Sequence, residues 1–335
     1  MSDVAVVGAG IVGLSTAFAL AERGASVTVY ERGAPGAAQS GGHSRIFRHA
    51  HDDPRLVALA VESRAIWREW EERFGVELVS GDGAVLLGPA VERRMPLLRE
   101  AGVRVRDIAE APLLGRWDGP AMLDDDAGVI RTRAAIAALA EGLELVADEV
   151  YAVSADGDVR AGGAVARHDR VIVCAGRGTA ALARGVGLDL PVREASHVRL
   201  TFPVRGEPPE RLPCLQHPDG AYGDPYPGND RYAIGLGDVA DPAELAASAE
   251  RTRRWVAATL PGLEPEPVGV RHCWVTELPW GPDGVAVWEA GRARFVAGGN
   301  LFKHAPWLGR ALAADEVRRE LWPEALLGRT STAAG

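Results

Sequence analysis

Asp3-Val4-Ala5-Val6-Val7-Gly8-Ala9-Gly10-Ile11-Val12-Gly13 is the stretch whose reading decides the fold. The apolar run at residues 3–7 reads as a short buried strand, and it enters the glycines without a spacer. Residues 12–23 then carry a helical apolar period, and Gly24 ends it as a capping glycine does. A second strand, Ser26–Tyr30, closes with Glu31. Each glycine has a physical task. Gly8 permits the tight turn, Gly10 lets the backbone approach a diphosphate, and Gly13 lets the helix pack on the strand. The N–H groups of Ile11 and Val12 begin the helix, where unpaired donors and the helix dipole favour an anion. Glu31 is placed to accept from ribose hydroxyls and to repel a 2′-phosphate, with Arg32 beside it among the candidate cofactor-binding residues. Glycine-rich turns occur in many loops, but here strand, turn, helix, capping glycine, strand and acid follow in order. The pattern implies a dinucleotide site and does not choose between NAD and FAD.

Working outward, composition narrows the function classes. At 335 residues, with 47% hydrophobic and 25% charged, the chain has the profile of an ordinary globular protein with room for two domains. No run of about 18 apolar residues occurs and no basic segment precedes an apolar one, so neither a membrane span nor a signal peptide is expected, and a cytoplasmic protein is. A net charge of −9 without a long basic run argues against nucleic acid and for a small-molecule partner. Cys174, Cys214 and Cys273 are widely spaced and form no CxxC, so no disulfide framework or zinc site is expected. Of the 37 lysines and arginines, Lys303 alone is lysine. A chain that otherwise writes arginine throughout has there a compact cation, or an amine able to change protonation.

Beyond Glu31 a loop of small residues leads to Gly41-Gly42-His43-Ser44-Arg45-Ile46-Phe47-Arg48-His49-Ala50. A helix follows, with Asp53 as cap, Pro54 in the first turn and an apolar stripe up to Gly75. The arginines of this segment suggest contact with an anion, cofactor or substrate, and a solvated basic loop is the plainer alternative. Further along stand Gly128-Val129-Ile130 before a helix, Asp169-Arg170-Val171-Ile172-Val173-Cys174-Ala175-Gly176, His272-Cys273-Trp274, and Phe295-Val296-Ala297-Gly298-Gly299-Asn300-Leu301-Phe302-Lys303.

In their order and spacing these segments resemble the monomeric sarcosine oxidase and N-methyltryptophan oxidase group of the D-amino-acid oxidase (DAO) superfamily, over nearly the whole chain. The resemblance implies an α/β fold, with a discontinuous Rossmann-like FAD-binding domain (1–77, 128–190, 268–335). Its second, mixed-sheet α+β substrate domain would comprise 78–127 and 191–267. It implies extended FAD, held by the glycine motif, Ser44, Arg45, the Val150 backbone, Cys174, Ala175 and Gly176, and the turn Gly298, Gly299, Asn300, Leu301, Phe302 and Lys303. At Cys273 it implies a thioether to the flavin 8α carbon; a buried free cysteine is the other reading of that residue. Arg48 and Lys303 fall where such enzymes clamp a substrate carboxylate, and Tyr222 and His43 are further candidates around the pocket, with Tyr226, Asp224, His197 and His304. The stretches 203–213 and 217–230 are expected to be loops at the pocket mouth or hairpin turns, with Asp224 in a loop, and the tail Gly328–Gly335 is expected to fray.

The chain also departs from that pattern. Sarcosine oxidases keep an oxygen-activating lysine where the strand Tyr232–Gly237 here has Gly235, and Gly41 stands where they have a histidine. Pro279-Trp280-Gly281-Pro282 reads as an insertion. The expected activity is oxidation of a C–N bond in a carboxylate-bearing amine or amino acid, free or carrier-bound, with O2 or another electron acceptor. An FAD dehydrogenase with poor oxygen reactivity is the first alternative, and a non-catalytic nucleotide-binding scaffold the second.

Overall fold

In the computed structural model, which describes residues 2–237, 242–279 and 283–314, the strand Asp3–Val7 lies inside a six-stranded sheet. Ser26–Tyr30 and then Glu144–Val146 flank it on one side; Arg170–Val173, Ala293–Gly298 and Val285–Ala290 follow on the other. All pairings are parallel except the last. Near-continuous apolar runs such as Val4–Val7 and Val171–Val173 suit strands covered on both faces. The order places a switch point where Asp3–Val7 meets Arg170–Val173, the position at which open α/β sheets bind ligands. The helix Ile11–Glu22 follows the first strand and packs on Ala305–Ala314. Gly24, at φ 80°, ends it as the sequence implied.

The chain divides into two units: Met1–Gly41, Arg133–Glu194 and Val275–Gly335, and Gly42–Thr132 with Ala195–Trp274. The expected boundaries grouped 42–77 and 128–132 with the nucleotide-binding part, whereas these segments cluster with the second unit. The reason is their contacts with that unit: Ser44 Oγ donates to Asp224 at 3.0 Å, His49 meets Asp124 at 3.1 Å, and Val79 bridges Ile130. The tail Gly328–Gly335 and residues 280–282 of the expected insertion lie outside the described residues.

The second unit is built on an eight-stranded sheet, in the order Gly269–Glu277, Arg193–Pro203, Arg231–Leu236, Ala221–Pro225, Cys214–Gln216, Ala84–Leu87, Ala121–Asp124, Val105–Asp107. Cys214–Gln216 pairs in parallel with Ala84–Leu87, so the sheet is mixed. Its core gathers Phe202, Tyr232 and Ile234 with Val256 of the helix Leu245–Thr259 and Leu260, which caps it. The stretch 217–230 is not all loop. Ala221–Pro225 is a strand between two turns, so Tyr222 and Asp224 sit on a sheet; Gly220 at φ 84° and Asn229 at φ 57° make the flanking turns that the composition had signalled. The helix Pro54–Phe74 begins as read, Asp53 accepting from the Arg55 N–H at 2.9 Å, and ends at Gly75 with φ 64°. Among the described residues no helix is long and apolar enough to cross a membrane.

Candidate active site

The first unit brings its candidate residues together by topology. Gly8, Glu31, Cys174 and Gly299 each follow the carboxyl end of a strand, and those four strands are consecutive in the parallel sheet. Gly8 turns the chain at φ 103°, and a Cβ there would meet the Cys174 carbonyl oxygen at 2.6 Å. A Cβ at Gly13 would lie 1.9 Å from the Gly8 carbonyl oxygen, so helix and turn touch through bare backbone. Gly10 is the N-cap and offers no side-chain cap; no acidic side chain occupies the first turn. The Ile11 N–H donates to Ser40 Oγ at 3.0 Å, and the Val12 carbonyl accepts from Thr16 Oγ1 at 2.7 Å. Glu31 accepts from the Ala9 N–H at 2.8 Å and the Gly33 N–H at 2.9 Å, which aims its carboxylate at the same turn.

Cys174, Ala175 and Gly176 leave Arg170–Val173 and enter a 3-10 turn; Gly176, at φ 55°, would put a Cβ 2.3 Å from Gln39 Oε1. Burial pushes the Cys174 thiol up to about 12. Val150 is buried in one cluster with Val7 and Tyr30. Arg32, by contrast, is an exposed partner of Glu149 at 3.0 Å. Past Ala293–Gly298, Gly299 donates to the Gly284 carbonyl at 3.1 Å and Asn300 turns at φ 52°. Leu301 and Phe302 lead into Lys303, which is 4% exposed and lies 2.9 Å from Asp283. These features fit FAD. The bare backbone cradle and the helix N-terminus suit its diphosphate, and Glu31 suits a ribose.

The second unit assembles its residues across strands. Register aligns Arg199 with Gly235 and Gly235 with Tyr222; the next like-facing row is Thr201, Ala233 and Asp224. Because the middle strand offers only glycine and alanine in these rows, side chains from its neighbours meet over it. A Cβ at Gly235 would lie 2.5 Å from Tyr222 Cζ, so the phenol rests on this glycine. Arg199 pairs with the fully buried Asp224, which also accepts from Ser44 Oγ at 3.0 Å. Burial opposes the Arg199 charge, but Asp224 and Tyr222 more than hold it, and its pKa is raised.

Arg45 donates to the Ser44 carbonyl at 2.8 Å; burial and the nearby Arg199 lower its pKa. Cys273 joins the same face. Burial raises its pKa, but a hydrogen bond from His197, the His197 charge and the Arg45 and Arg199 guanidinium groups outweigh it, lowering the thiol to about 7. Two other candidates stand in different surroundings. Arg48 donates to the Ala50 carbonyl and faces His51 Nδ1 at 3.5 Å, while His43 stacks on Tyr226 at 4.8 Å.

Sequence reasoning missed Arg199, Asp283 and Ser40. Alternation with His197 on one strand was a usable signal for Arg199, and the Asp283-Gly284 dipeptide for Asp283; nothing in its small-residue loop marks Ser40.

A glycine oxidase from Geobacillus kaustophilus is similar in structure, with a TM-score of 0.82 at 23% identity, covering 98% of this chain and 99% of that one. An L-proline dehydrogenase from P. horikoshii aligns with a TM-score of 0.81 at 19% identity over 93% and 92% of the two chains. The open form of NikD, an amino acid oxidase of nikkomycin biosynthesis, gives 0.79 at 21% over 95% and 94%. No curated protein sequence matches the chain. The family model described as DAO, FAD dependent oxidoreductase, matches residues 3–315. With that match spanning both units and a cradle fitted to the cofactor, the chain belongs to the DAO family of FAD-dependent oxidoreductases.

Proposed function

We propose that the enzyme oxidises a C–N bond of a carboxylate-bearing amine or amino acid to the imine, releasing hydrogen peroxide when O2 takes the electrons. FAD supplies the two-electron acceptor for the substrate's hydride. The observation that carries the reading is Lys303: the single lysine of the chain is buried directly after the Gly298–Phe302 turn. The ammonium is paired with Asp283 at 2.9 Å, and the substrate carboxylate is proposed as a second anion beside it. Lys303 fixes the substrate by its carboxylate, and burial excludes the water that would otherwise solvate both charges. Orientation of the reacting C–H then supplies much of the rate. The Cys273 thiolate, held by His197, Arg45 and Arg199, is the group for a thioether to the flavin.

Lys303→Met is expected to keep its yellow flavin and lose turnover over a panel of amino acids; unchanged kinetics would retire the clamp. Acid precipitation reads the linkage, since colour kept in the pellet supports Cys273 and colour released to the supernatant removes it.

One observation favours a dehydrogenase with poor oxygen reactivity. Gly235 seats the Tyr222 ring, so this strand offers no cation where sarcosine oxidases carry their lysine. Parallel assays with an oxygen electrode and an artificial acceptor separate the two readings: rates matched in both identify an oxidase, and turnover confined to the artificial acceptor identifies a dehydrogenase.

A further inference from the structure

Lys303 does not stand in its buried position alone. Its Nζ donates to Asp283 Oδ1 at 2.9 Å and to the Asn300 carbonyl at 3.4 Å, and the Asp283 side chain is 17% exposed. The pair is built by backbone. Val285–Ala290 runs antiparallel to Ala293–Gly298 with Val285 opposite Gly298, so Asp283 enters the pairing from one end as Lys303 leaves it. The Gly299 N–H donates to the Gly284 carbonyl at 3.1 Å and ties the two ends together, while Asn300 makes the left-handed turn that returns the chain toward Asp283.

That geometry bears on what Lys303 can bind. A buried ammonium already matched by a carboxylate is neutral as a pair, and a second bare carboxylate would add an uncompensated negative charge in a poorly solvated place. A ligand that brings its own cation does not. The ammonium and carboxylate of an α-amino acid are borne on one carbon, so they can lie against Asp283 and Lys303 together, with charges alternating. We infer that Asp283 is a specificity-determining residue, forming with Lys303 a cation–anion pair that accepts zwitterionic amino acids and discriminates against ligands carrying a carboxylate alone. The inference rests on the reading that Lys303 receives the substrate carboxylate.

The test uses the flavin-loaded enzyme and two unreactive probes of nearly equal shape, with binding read from perturbation of the flavin absorption spectrum. 2-Aminoisobutyrate has no α-hydrogen to lose as hydride; pivalate replaces its ammonium by methyl. The wild type binds 2-aminoisobutyrate about tenfold or more tighter than pivalate. Asp283→Asn reverses the order, because the released Lys303 then takes the simple anion better. Since that variant leaves a buried charge unmatched, the doubly neutral Asp283→Asn/Lys303→Met variant is measured beside it, and it binds the two probes with equal affinity. Equal affinities in the wild type, an unchanged order in Asp283→Asn, or discrimination surviving in the double variant would each overturn the inference. Pivalate binding that Lys303→Met abolishes and Asp283→Asn leaves unchanged keeps the carboxylate reading and removes only Asp283. Absence of binding by both probes removes the carboxylate reading and the inference with it.

Discussion

The two units make their sites from different materials. In the first, the cradle at Gly8–Gly13 is mostly backbone, and what matters at Gly8 and Gly13 is the absence of a side chain. In the second, Arg199, Tyr222 and Asp224 meet as side chains over a floor of Gly235 and Ala233, with His197, Arg45 and Cys273 close by. A backbone site fails when an atom is added. A side-chain site fails when one partner is removed and the other stays buried without it.

The largest effect is expected in the cradle. Gly13→Val puts carbon where the Gly8 carbonyl already stands, and the expected outcome is loss of bound flavin or of folded protein, read from the visible spectrum of the purified material. A flavin-bearing Gly13→Val enzyme would break the comparison. On the sheet, Asp224→Ala leaves the Arg199 guanidinium buried and uncompensated. Denaturant unfolding should show a loss of about 3–5 kcal/mol, much of it recovered when Arg199 is replaced by leucine as well.

Gly235→Ala tests the floor. Its Cβ would press on the Tyr222 ring, at an expected cost of about 1–3 kcal/mol that vanishes in a Tyr222→Ala background. The same face can be read by pH. In protein prepared without flavin, Cys273 should alkylate with a midpoint near its thiol value of about 7, because the reactive thiolate accumulates as pH rises through that value. His197→Ala removes the hydrogen bond and moves the midpoint upward, while Cys174, at about 12, stays unreactive throughout. Away from both sites, Asp53→Ala removes a helix cap and should cost only about 1 kcal/mol in thermal or denaturant unfolding.

The same contrast explains what could be read in advance. The first strand, its helix, the capping Gly24, the second strand and Glu31 are neighbours in sequence, and local rules of turn, period and cap identify them without any partner. Asp53, Pro54 and Gly75 were legible for the same reason. Tyr222 and Asp224 looked like loop residues, since their five-residue strand lies between two turns and pairs with residues distant in the chain. The grouping of 42–77 differed likewise: Ser44 meets Asp224 and His49 meets Asp124, partners distant in the chain.

The sequence by itself determined the nucleotide cradle, the family resemblance and the singular status of Lys303, because each is carried by residue type and short-range spacing. Only the tertiary structure decided that Asp283 meets Lys303, that Gly235 is the seat of Tyr222, and that His197 and two arginines gather near the Cys273 thiol. Those contacts depend on strand register and on which side chains are small enough to let others pass over them, and neither is written in the neighbourhood of the residues concerned.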